Sequence, residues 1–317
     1  MNTERCLCCY KPLQEGEKDY HPSCLKRFFG TTYAPELPYT RKNLEQLAKV
    51  VIEKSTTVTG VQEKLSLDLQ HDDHGNPARL TIIGVMGRYI LKPQSERFTA
   101  LPEVEDLTMH LAEIARISVV PHCLIRFADG EMNYITRRID RTDDGRKLAM
   151  EDCCQLAGVL TEQKYQSSYE YIASIIRQHS SVAGLDVQNF WELVVFSWIV
   201  GNADMHLKNF SLISDGQGHY RLAPAYDLLS TALVMPEDTE ELALTLQGFK
   251  RKLMPFDFIH AMEDSGIATN VAERTLARFQ KFREKWFGCI DASFITDEQK
   301  ATFKSIIEQR LDTLSNK

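Results

Sequence analysis

The sequence predicts an α+β protein with two lobes, the first mainly β with one helix and the second mainly helical. Residues 55–69 are rich in β-branched side chains and further strand patterns follow up to residue 139, whereas the chain from Glu151 onward is mainly helical in pattern. A chain of 317 residues can form one two-lobed domain or two domains. We therefore predict a Cys-rich segment with helices (1–50), a β lobe (51–150) and a helical lobe (151–317).

Charge and hydropathy restrict the classes of protein to which the chain can belong. The net charge of −7 and the isoelectric point near 5.8 argue against nucleic-acid binding by this chain alone, because phosphate contacts need a basic surface. The longest apolar run, at about 194–200, is too short to span a bilayer, and the first residues contain no apolar signal core. We expect a cytoplasmic protein without membrane contact, whose eight cysteines are thiols or metal ligands rather than disulfides.

Four residues near the N-terminus have a spacing that suits a metal. Cys6-x2-Cys9 is followed, after eleven residues, by His21-x2-Cys24, which is a plausible four-ligand zinc pattern with Cys8 as a spare thiol. Only one Cys-x2-Cys pair is present, so small buried hydrophobic side chains or inert thiols are the alternative. A structural Zn²⁺ is therefore a candidate cofactor.

The periodicity of apolar residues and the turn signals predict the elements in chain order. Helices are expected over 23–29 (ended by Gly30), 44–54, 102–116, 256–262, 271–286 and 297–314. Strands are expected over 55–69, 79–85, 88–91, 119–120, 124–127, 133–139, 210–213 and 220–222. The strands at 124–127 and 133–139 should pair around Asp129-Gly130.

The first lobe contains, in order, the parts of a kinase-type ATP site. A hydroxyl-rich turn able to cover phosphates with backbone N–H groups consists of Thr57, Val58, Thr59 and Gly60. Lys92 follows at a strand end, Glu105 on the next helix could pair with it, and the polar segment 136–141 could hold a base edge. Each part taken singly also fits a structural role, such as a strand-end charge, a helix N-terminal acid or a bulge.

The second lobe contains the complementary groups. Asp204 and Asn209 lie five positions apart on a polar loop, and a predicted hairpin then leads to Asp227. A carboxylate that accepts a hydroxyl proton, with an amide and a second carboxylate that hold Mg²⁺, is the arrangement that phosphoryl transfer to a hydroxyl needs. Singly, such residues usually make turns or caps. The combined pattern predicts a kinase site.

These motifs together resemble those of the HipA-like serine/threonine kinase toxins, with a protein-kinase-like fold. The matching segments are Thr57-Val-Thr-Gly-Val-Gln-Glu-Lys64, Tyr89-Ile-Leu-Lys-Pro93, the Glu105 helix, Arg137-Arg-Ile-Asp-Arg141, Met150-Glu-Asp-Cys-Cys-Gln-Leu156, Gly201-Asn-Ala-Asp-Met-His-Leu-Lys-Asn209 and Pro224-Ala-Tyr-Asp227. The likeness runs from about residue 50 to the C-terminus. In its length the chain resembles the compact HipT type, whose missing N-terminal subdomain is supplied by a separate small protein.

The resemblance implies the toxin of a type II toxin–antitoxin system. Such a kinase uses ATP and Mg²⁺ to phosphorylate a serine of a translation protein, typically an aminoacyl-tRNA synthetase. The implied partners are a HipB-like DNA-binding antitoxin and a HipS-like small protein.

The resemblance also implies a role for each matching residue. Lys92 would contact the phosphates, Asp204 would be the catalytic base, and Asn209 and Asp227 would bind Mg²⁺. The remaining groups are His206 and Lys208 in the catalytic loop, the backbone from Arg137 to Ile139 around adenine, and Thr57 or Thr59 as the site of autophosphorylation. The family typically has serine at the autophosphorylated position, so threonine is a departure.

Two other functions fit parts of the pattern. Small-molecule phosphotransferases of the aminoglycoside or choline type also place Asp and Asn five positions apart in their catalytic loop. A non-catalytic, zinc-containing regulatory subunit would account for the Cys/His segment and for the basic clusters near residues 250–252 and 278–285.

Overall fold

The computed structural model describes residues 4–43, 64–71, 77–83, 87–142 and 144–315. The chain divides into two compact units. The first consists of Met1–Asp106, Val120–Ile139 and Ala292–Phe294, and the second of Leu107–Val119, Asp140–Asp291 and Ile295–Lys317. The three-part division expected from the sequence stays a prediction.

The first unit is built on a five-stranded antiparallel sheet with the order β2-β1-β3-β5-β4. Its strands are β1 (Leu65–His71), β2 (Pro77–Ile82), β3 (Tyr89–Lys92), β4 (His122–Arg126) and β5 (Met132–Arg137). Alternate residues of β1, namely Leu65, Leu67 and Leu69, are buried, as expected for a strand with one face on the core. The predicted hairpin is confirmed, because β4 and β5 pair antiparallel.

One helix precedes these strands in the chain, and another lies between β3 and β4. Helix α1 (Pro22–Phe29) ends as predicted at Gly30, whose φ of 77° is left-handed and whose N–H donates to the carbonyl of Lys26. Helix α2 (Leu101–Ile114) agrees with the prediction over 102–116. The predicted helix at 44–54 and the turn at 57–60 lie outside the described residues. Val119 forms one isolated bridge with Ala225, so the short strand predicted at 119–120 was wrong.

The second unit is mainly helical, with one small antiparallel sheet in the order β6-β7-β8. The strands are β6 (Met150–Asp152), β7 (Ser211–Ser214) and β8 (Tyr220–Leu222). The helices are α3 (Cys153–Leu156), α4 (Tyr169–His179), α5 (Ala183–Ile199), α6 (Thr231–Val234), α7 (Pro255–Asp264), α8 (Thr269–Arg278), α9 (Arg283–Ala292) and α10 (Asp297–Ser315). Among the helices of the described ranges, none has the length and apolar character needed to cross a bilayer.

The helix predicted over 271–286 is interrupted. A 3₁₀ turn, Phe279–Phe282, separates α8 from α9. Residues three apart lie on one side of such a turn, and both Phe279 and Phe282 pack against Trp286, with ring centroids 6.2 and 5.9 Å away. The guanidinium of Arg278 lies 5.5 and 5.9 Å from the same two phenyl rings. Aromatic packing therefore outweighs helix continuity here.

Candidate active site

The first unit brings Lys92 and Glu105 together, as the sequence predicts. Lys92 ends β3 and Glu105 lies on α2, and their side chains form an ion pair. Lys92 is 3% exposed and Glu105 is 2% exposed, and the ammonium also lies 5.3 Å from the centroid of the Tyr134 ring. In a buried ion pair, the free energy lost when both charges leave water offsets much of their mutual attraction. The pair is therefore better explained by a need to position the lysine than by stability.

The segment predicted to hold a base edge follows β5. The backbone N–H groups of Arg137 and Arg138 donate to the carbonyls of Pro121 and Arg88, at 2.9 and 2.8 Å. A base would therefore have to use other backbone groups, such as those at Ile139. The predicted phosphate-covering turn of Thr57, Val58, Thr59 and Gly60 lies outside the described residues.

The catalytic loop predicted in the second unit starts at a glycine that no other residue can replace without strain. Gly201 follows α5 with a φ of 67°, and a Cβ atom added there would lie 2.7 Å from the Cβ of Ala232. The hydroxyl group of Thr231 accepts a hydrogen bond from the N–H of Ala203 at 2.8 Å and donates to the carbonyl of Gly201 at 3.1 Å. These contacts fix the point at which the chain leaves the helix.

Asp204 and Asn209 face each other across this loop. The Nδ2 group of Asn209 donates to the backbone carbonyl of Asp204 at 3.0 Å, and its N–H donates to the carbonyl of His206 at 2.9 Å. The side chain of Asn202 accepts a hydrogen bond from the N–H of Asp204 at 3.1 Å. The Nδ2 group of Asn209 is a donor, and it is used in the bond to Asp204. The lone pairs of Oδ1 are therefore the part of this amide that can bind a cation.

Asp227 is attached to the same loop through its neighbour. The hydroxyl group of Tyr226 donates to the carbonyl of Lys208 at 2.9 Å and lies 2.5 Å from Oγ of Ser211. Asp227 itself has a φ of 61°, a conformation that non-glycine residues seldom adopt outside functional or tightly constrained positions. The predicted residues Asp204, Lys208 and Asn209 thus lie on one loop, and the residue next to Asp227 is hydrogen-bonded to that loop.

His206 lies between charged groups. Burial lowers the pKa of its imidazole, the carboxylates of Asp204 and Asp227 act in the opposite direction, and the ammonium of Lys164 lowers it further. The net effect is a lowered pKa, so His206 is neutral near pH 7.

Two residues of this site were missed by the sequence interpretation. The hydroxyl group of Tyr165 donates to Oδ1 of Asp204 at 2.6 Å, and the ammonium of Lys208 donates to Oδ2 of Asp152 at 2.6 Å. Asp152 is part of the Met150–Leu156 segment already recognised as a motif, so that segment was the available signal. Tyr165 is in an irregular stretch, and no pattern in the sequence distinguished it.

The predicted zinc ligands are also close together. The side-chain ligand atoms of Cys6, Cys9, His21 and Cys24 all lie within 4.8 Å of one another. These residues belong to the first unit.

Comparison with known proteins identifies the family. A profile of the HipA-like C-terminal domain matches residues 56–286. "Putative kinase" from Haemophilus influenzae is 29% identical over 299 residues, which cover 84% of each protein. "Putative kinase Y4dM" from Sinorhizobium fredii is 30% identical over 244 residues, which cover 73% of this chain but only 59% of that protein.

Solved structures confirm the predicted fold class. HipA in a Shewanella oneidensis toxin–antitoxin complex with HipB and operator DNA aligns with a TM-score of 0.68 and 20% identity, covering 88% of this chain and 71% of that one. The Helicobacter pylori proinflammatory kinase CtkA aligns with a TM-score of 0.55 and 14% identity, covering 78% and 93%. These likenesses concern the fold, whereas the profile match covers most of the sequence. The chain belongs to the family of HipA-like C-terminal domains.

Proposed function

We propose that the protein is an ATP- and Mg²⁺-dependent serine/threonine protein kinase. The main support is that one loop of the second unit holds Asn209 bonded to Asp204, while Tyr226 attaches Asp227 to the carbonyl of Lys208. This is the set of groups that phosphoryl transfer to a hydroxyl requires. The buried pair of Lys92 and Glu105 in the first unit supplies the group expected on the phosphates.

The donor set fits Mg²⁺ and a nucleotide. Oδ1 of Asn209 and the carboxylate of Asp227 are hard oxygen ligands of the kind that Mg²⁺ prefers. When bound, Mg-ATP supplies the γ-phosphoryl group together with the cation that offsets its charge. Lys92, oriented by Glu105, would bind phosphate oxygens, and the backbone near Ile139 would contact the adenine.

The chain's own residues would then act on the acceptor. Asp204 orients the substrate hydroxyl and accepts its proton, in competition with the Tyr165 hydroxyl, which donates to one oxygen of the same carboxylate. Lys208, held by Asp152, can offset negative charge as the bond to the phosphoryl group forms. The neutral imidazole of His206 packs edge-on against the ring of Tyr165, with centroids 5.0 Å apart, and supports the loop.

The family membership extends the proposal to substrates and partners. We propose a toxin of a type II toxin–antitoxin system that acts on a translation protein such as an aminoacyl-tRNA synthetase. Its partners would be a HipB-like DNA-binding antitoxin, as the HipA of the Shewanella oneidensis complex has, and a HipS-like small protein. Autophosphorylation of Thr57 or Thr59 would restrain activity by adding negative charge beside the ATP phosphates.

The decisive experiment offers labelled ATP and Mg²⁺ to the purified protein together with cell extract. We expect a labelled protein band, and we expect Asp204→Asn and Asp227→Asn each to lower labelling by at least about 100-fold. Asp215→Asn is the matched control, because that carboxylate lies in the exposed turn after β7 and is bonded there to Gln217 and His219. Labelling of a small metabolite instead would favour a small-molecule phosphotransferase, and no transfer would favour a regulatory subunit.

Mass spectrometry tests the autophosphorylation separately. Protein made with and without Asp204→Asn should differ by a phosphate on Thr57 or Thr59. An unmodified turn in protein that labels its substrate would contradict this part of the proposal.

A further inference from the structure

The N-terminal residues form a cluster with the dimensions of a zinc site. The ligand atoms of Cys6, Cys9, His21 and Cys24 all lie within 4.8 Å of one another. Nδ1 of His21 is 3.4 Å from Sγ of Cys9 and 3.9 Å from Sγ of Cys24. Zinc–ligand bonds of about 2.0–2.3 Å in a tetrahedron put neighbouring ligand atoms about 3.5–3.8 Å apart. The separations therefore suit ligands around one ion.

Backbone hydrogen bonds hold two separate segments in place around this cluster. Cys6 and Cys9 lie in a tight turn, in which the N–H of Tyr10 donates to the carbonyl of Cys6 and the N–H of Cys6 donates to that of Lys11, both at 2.9 Å. Tyr10 has a φ of 60°, which turns the chain sharply after the second cysteine. Cys24 lies in the first turn of α1, so its backbone is fixed by the helix.

The imidazole of His21 is oriented as in a metal ligand. Its Nε2 lies 3.1 Å from the carbonyl of Pro12 and 3.6 Å from the carboxylate of Glu17. In the tautomer with the proton on Nε2, the ring donates to that carbonyl and presents the lone pair of Nδ1 to the sulfur atoms. Such an outer hydrogen bond is a usual companion of metal-bound histidine, because it fixes both tautomer and orientation.

We propose that Cys6, Cys9, His21 and Cys24 bind one structural Zn²⁺. By fixing residues 5–24, here called the N-terminal knuckle, this ion would also hold in place helix α2, whose Glu105 positions Lys92. Three thiolates and an imidazole are soft and borderline ligands that select zinc over Mg²⁺ or Ca²⁺. Cys8 is buried elsewhere, where its sulfur accepts a hydrogen bond from Arg27 at 3.6 Å, and it is no part of the cluster.

The N-terminal knuckle contacts two parts of the first unit. The hydroxyl group of Tyr10 donates to Oδ2 of Asp106 at 2.7 Å, and Asp106 directly follows Glu105 on α2. On the sheet, Leu124 of β4 donates its N–H to the carbonyl of Leu7 at 3.0 Å and accepts from the hydroxyl of Tyr20 at 2.7 Å. The geometry of the cluster alone supports the metal site, whereas its effect on nucleotide binding through Lys92 rests on the proposed kinase function.

Metal content tests the site directly on the full chain, purified without a histidine tag. We expect about one zinc per chain in the unmodified protein and in Cys8→Ser, and little in Cys9→Ser or Cys24→Ser. If those variants do not fold, Co²⁺ exchanged into the unmodified protein replaces them as the test. Visible absorption bands of tetrahedral Co²⁺, together with thiolate-to-metal charge-transfer absorption, support the site. The absence of these bands overturns it, as does unmodified protein that contains no zinc or that has a disulfide within the cluster.

Nucleotide affinity tests the coupling to Lys92. Zinc is removed with TPEN, a chelator that spares Mg²⁺, and the binding of a fluorescent ATP analogue is measured before and after in Mg²⁺ buffer. We expect affinity to fall several-fold and to recover when ZnCl₂ is added back. Unchanged affinity overturns the coupling. If the zinc-loaded protein binds no nucleotide, the kinase function and the coupling fail together, while the metal content still decides the zinc site.

Discussion

The hydroxyl group of Tyr165 donates a 2.6 Å hydrogen bond to Oδ1 of Asp204, the carboxylate that the sequence predicts as the catalytic base. Burial and this hydrogen bond to Asp204 raise the pKa of Tyr165 well above its usual range, so the phenol keeps its proton. In the proposed kinase, the Tyr165 hydroxyl competes with a substrate hydroxyl for the acceptor positions of this carboxylate. Tyr165 is 41% exposed and could therefore move aside. Under the proposed function, the tyrosine hydroxyl therefore takes a position on Asp204 that the substrate hydroxyl would use.

Removal of this hydroxyl should increase activity. Tyr165→Phe frees Oδ1 of Asp204 while keeping the ring that packs on His206, so we expect a rise in kcat/KM of roughly 2- to 10-fold, the value of one hydrogen bond of about 0.5–1.5 kcal/mol. The measurement is the initial rate of phosphate transfer to the acceptor. Tyr171→Phe, an exposed tyrosine on α4, is the control. A fall in rate would mean that Tyr165 orients Asp204 rather than blocks it.

The start of the catalytic loop should tolerate no side chain. Gly201→Ala adds left-handed strain of about 1–2 kcal/mol and a clash with Ala232 of about 1–3 kcal/mol, so we expect a loss of about 2–5 kcal/mol in unfolding free energy. Gly216→Ala is the matched control. Its φ of 84° would impose the same left-handed strain on alanine, but the added Cβ would lie 3.8 Å from Cδ2 of Leu148 and would not clash. Urea unfolding of the two variants separates strain from crowding, and equal losses would show that crowding contributes nothing.

The sequence predicted the groups that have fixed spacing and missed those that depend on packing. The order of a strand end and the next helix pointed to Lys92 and Glu105, and the spacing of a polar loop and a hairpin pointed to Asp204, Asn209 and Asp227. Their partners could not be found in this way. Tyr165 meets Asp204 from 39 positions away through an irregular segment, and contacts of that kind have no periodic signature.

The same limit applies to the helices. The spacing of apolar residues correctly predicted α10. The same spacing predicted one continuous helix over 271–286, whereas the structure has the 3₁₀ turn Phe279–Phe282 within that range. Two phenylalanines three positions apart lie on the same side of an α-helix and also of a 3₁₀ turn, so their spacing fits both structures. Only their packing on Trp286 distinguishes the two.

The half-buried carboxylate of Glu241 in the second unit should make the free energy of unfolding depend on pH. Burial raises the pKa of Glu241, but hydrogen bonds from Trp198 and Leu253 and the bonded charge of Arg310 outweigh it, and the net pKa is lowered. A carboxyl group with a lowered folded-state pKa contributes stability above its unfolded-state pKa, and this contribution is lost as the pH falls through the folded-state value. Glu241 therefore stabilises the fold near neutral pH and ceases to do so in acid.

Glu241→Gln measures that contribution. We expect the variant to lose about 1–3 kcal/mol of unfolding free energy at pH 7, and the difference from the unmodified protein to shrink as the pH falls toward about 3. Glu240→Gln, at an exposed pair with Lys250, should change little. Urea unfolding across the pH range provides the measurement. A difference that does not vary with pH would show that the ionised form of Glu241 contributes nothing.

The ion pair of Lys92 and Glu105 should be needed for nucleotide binding rather than for folding. Glu105→Gln removes the negative charge beside the buried ammonium, so we expect a loss of about 3–5 kcal/mol in unfolding free energy. The double variant Lys92→Met with Glu105→Leu removes both charges and should recover most of that loss, since apolar replacement of a buried pair is often neutral. The double variant should nevertheless bind no ATP analogue, which fluorescence titration beside urea unfolding would measure. A double variant as unstable as Glu105→Gln would show that the fold itself needs the pair. A double variant that binds nucleotide normally would refute the assignment of the pair to phosphate binding.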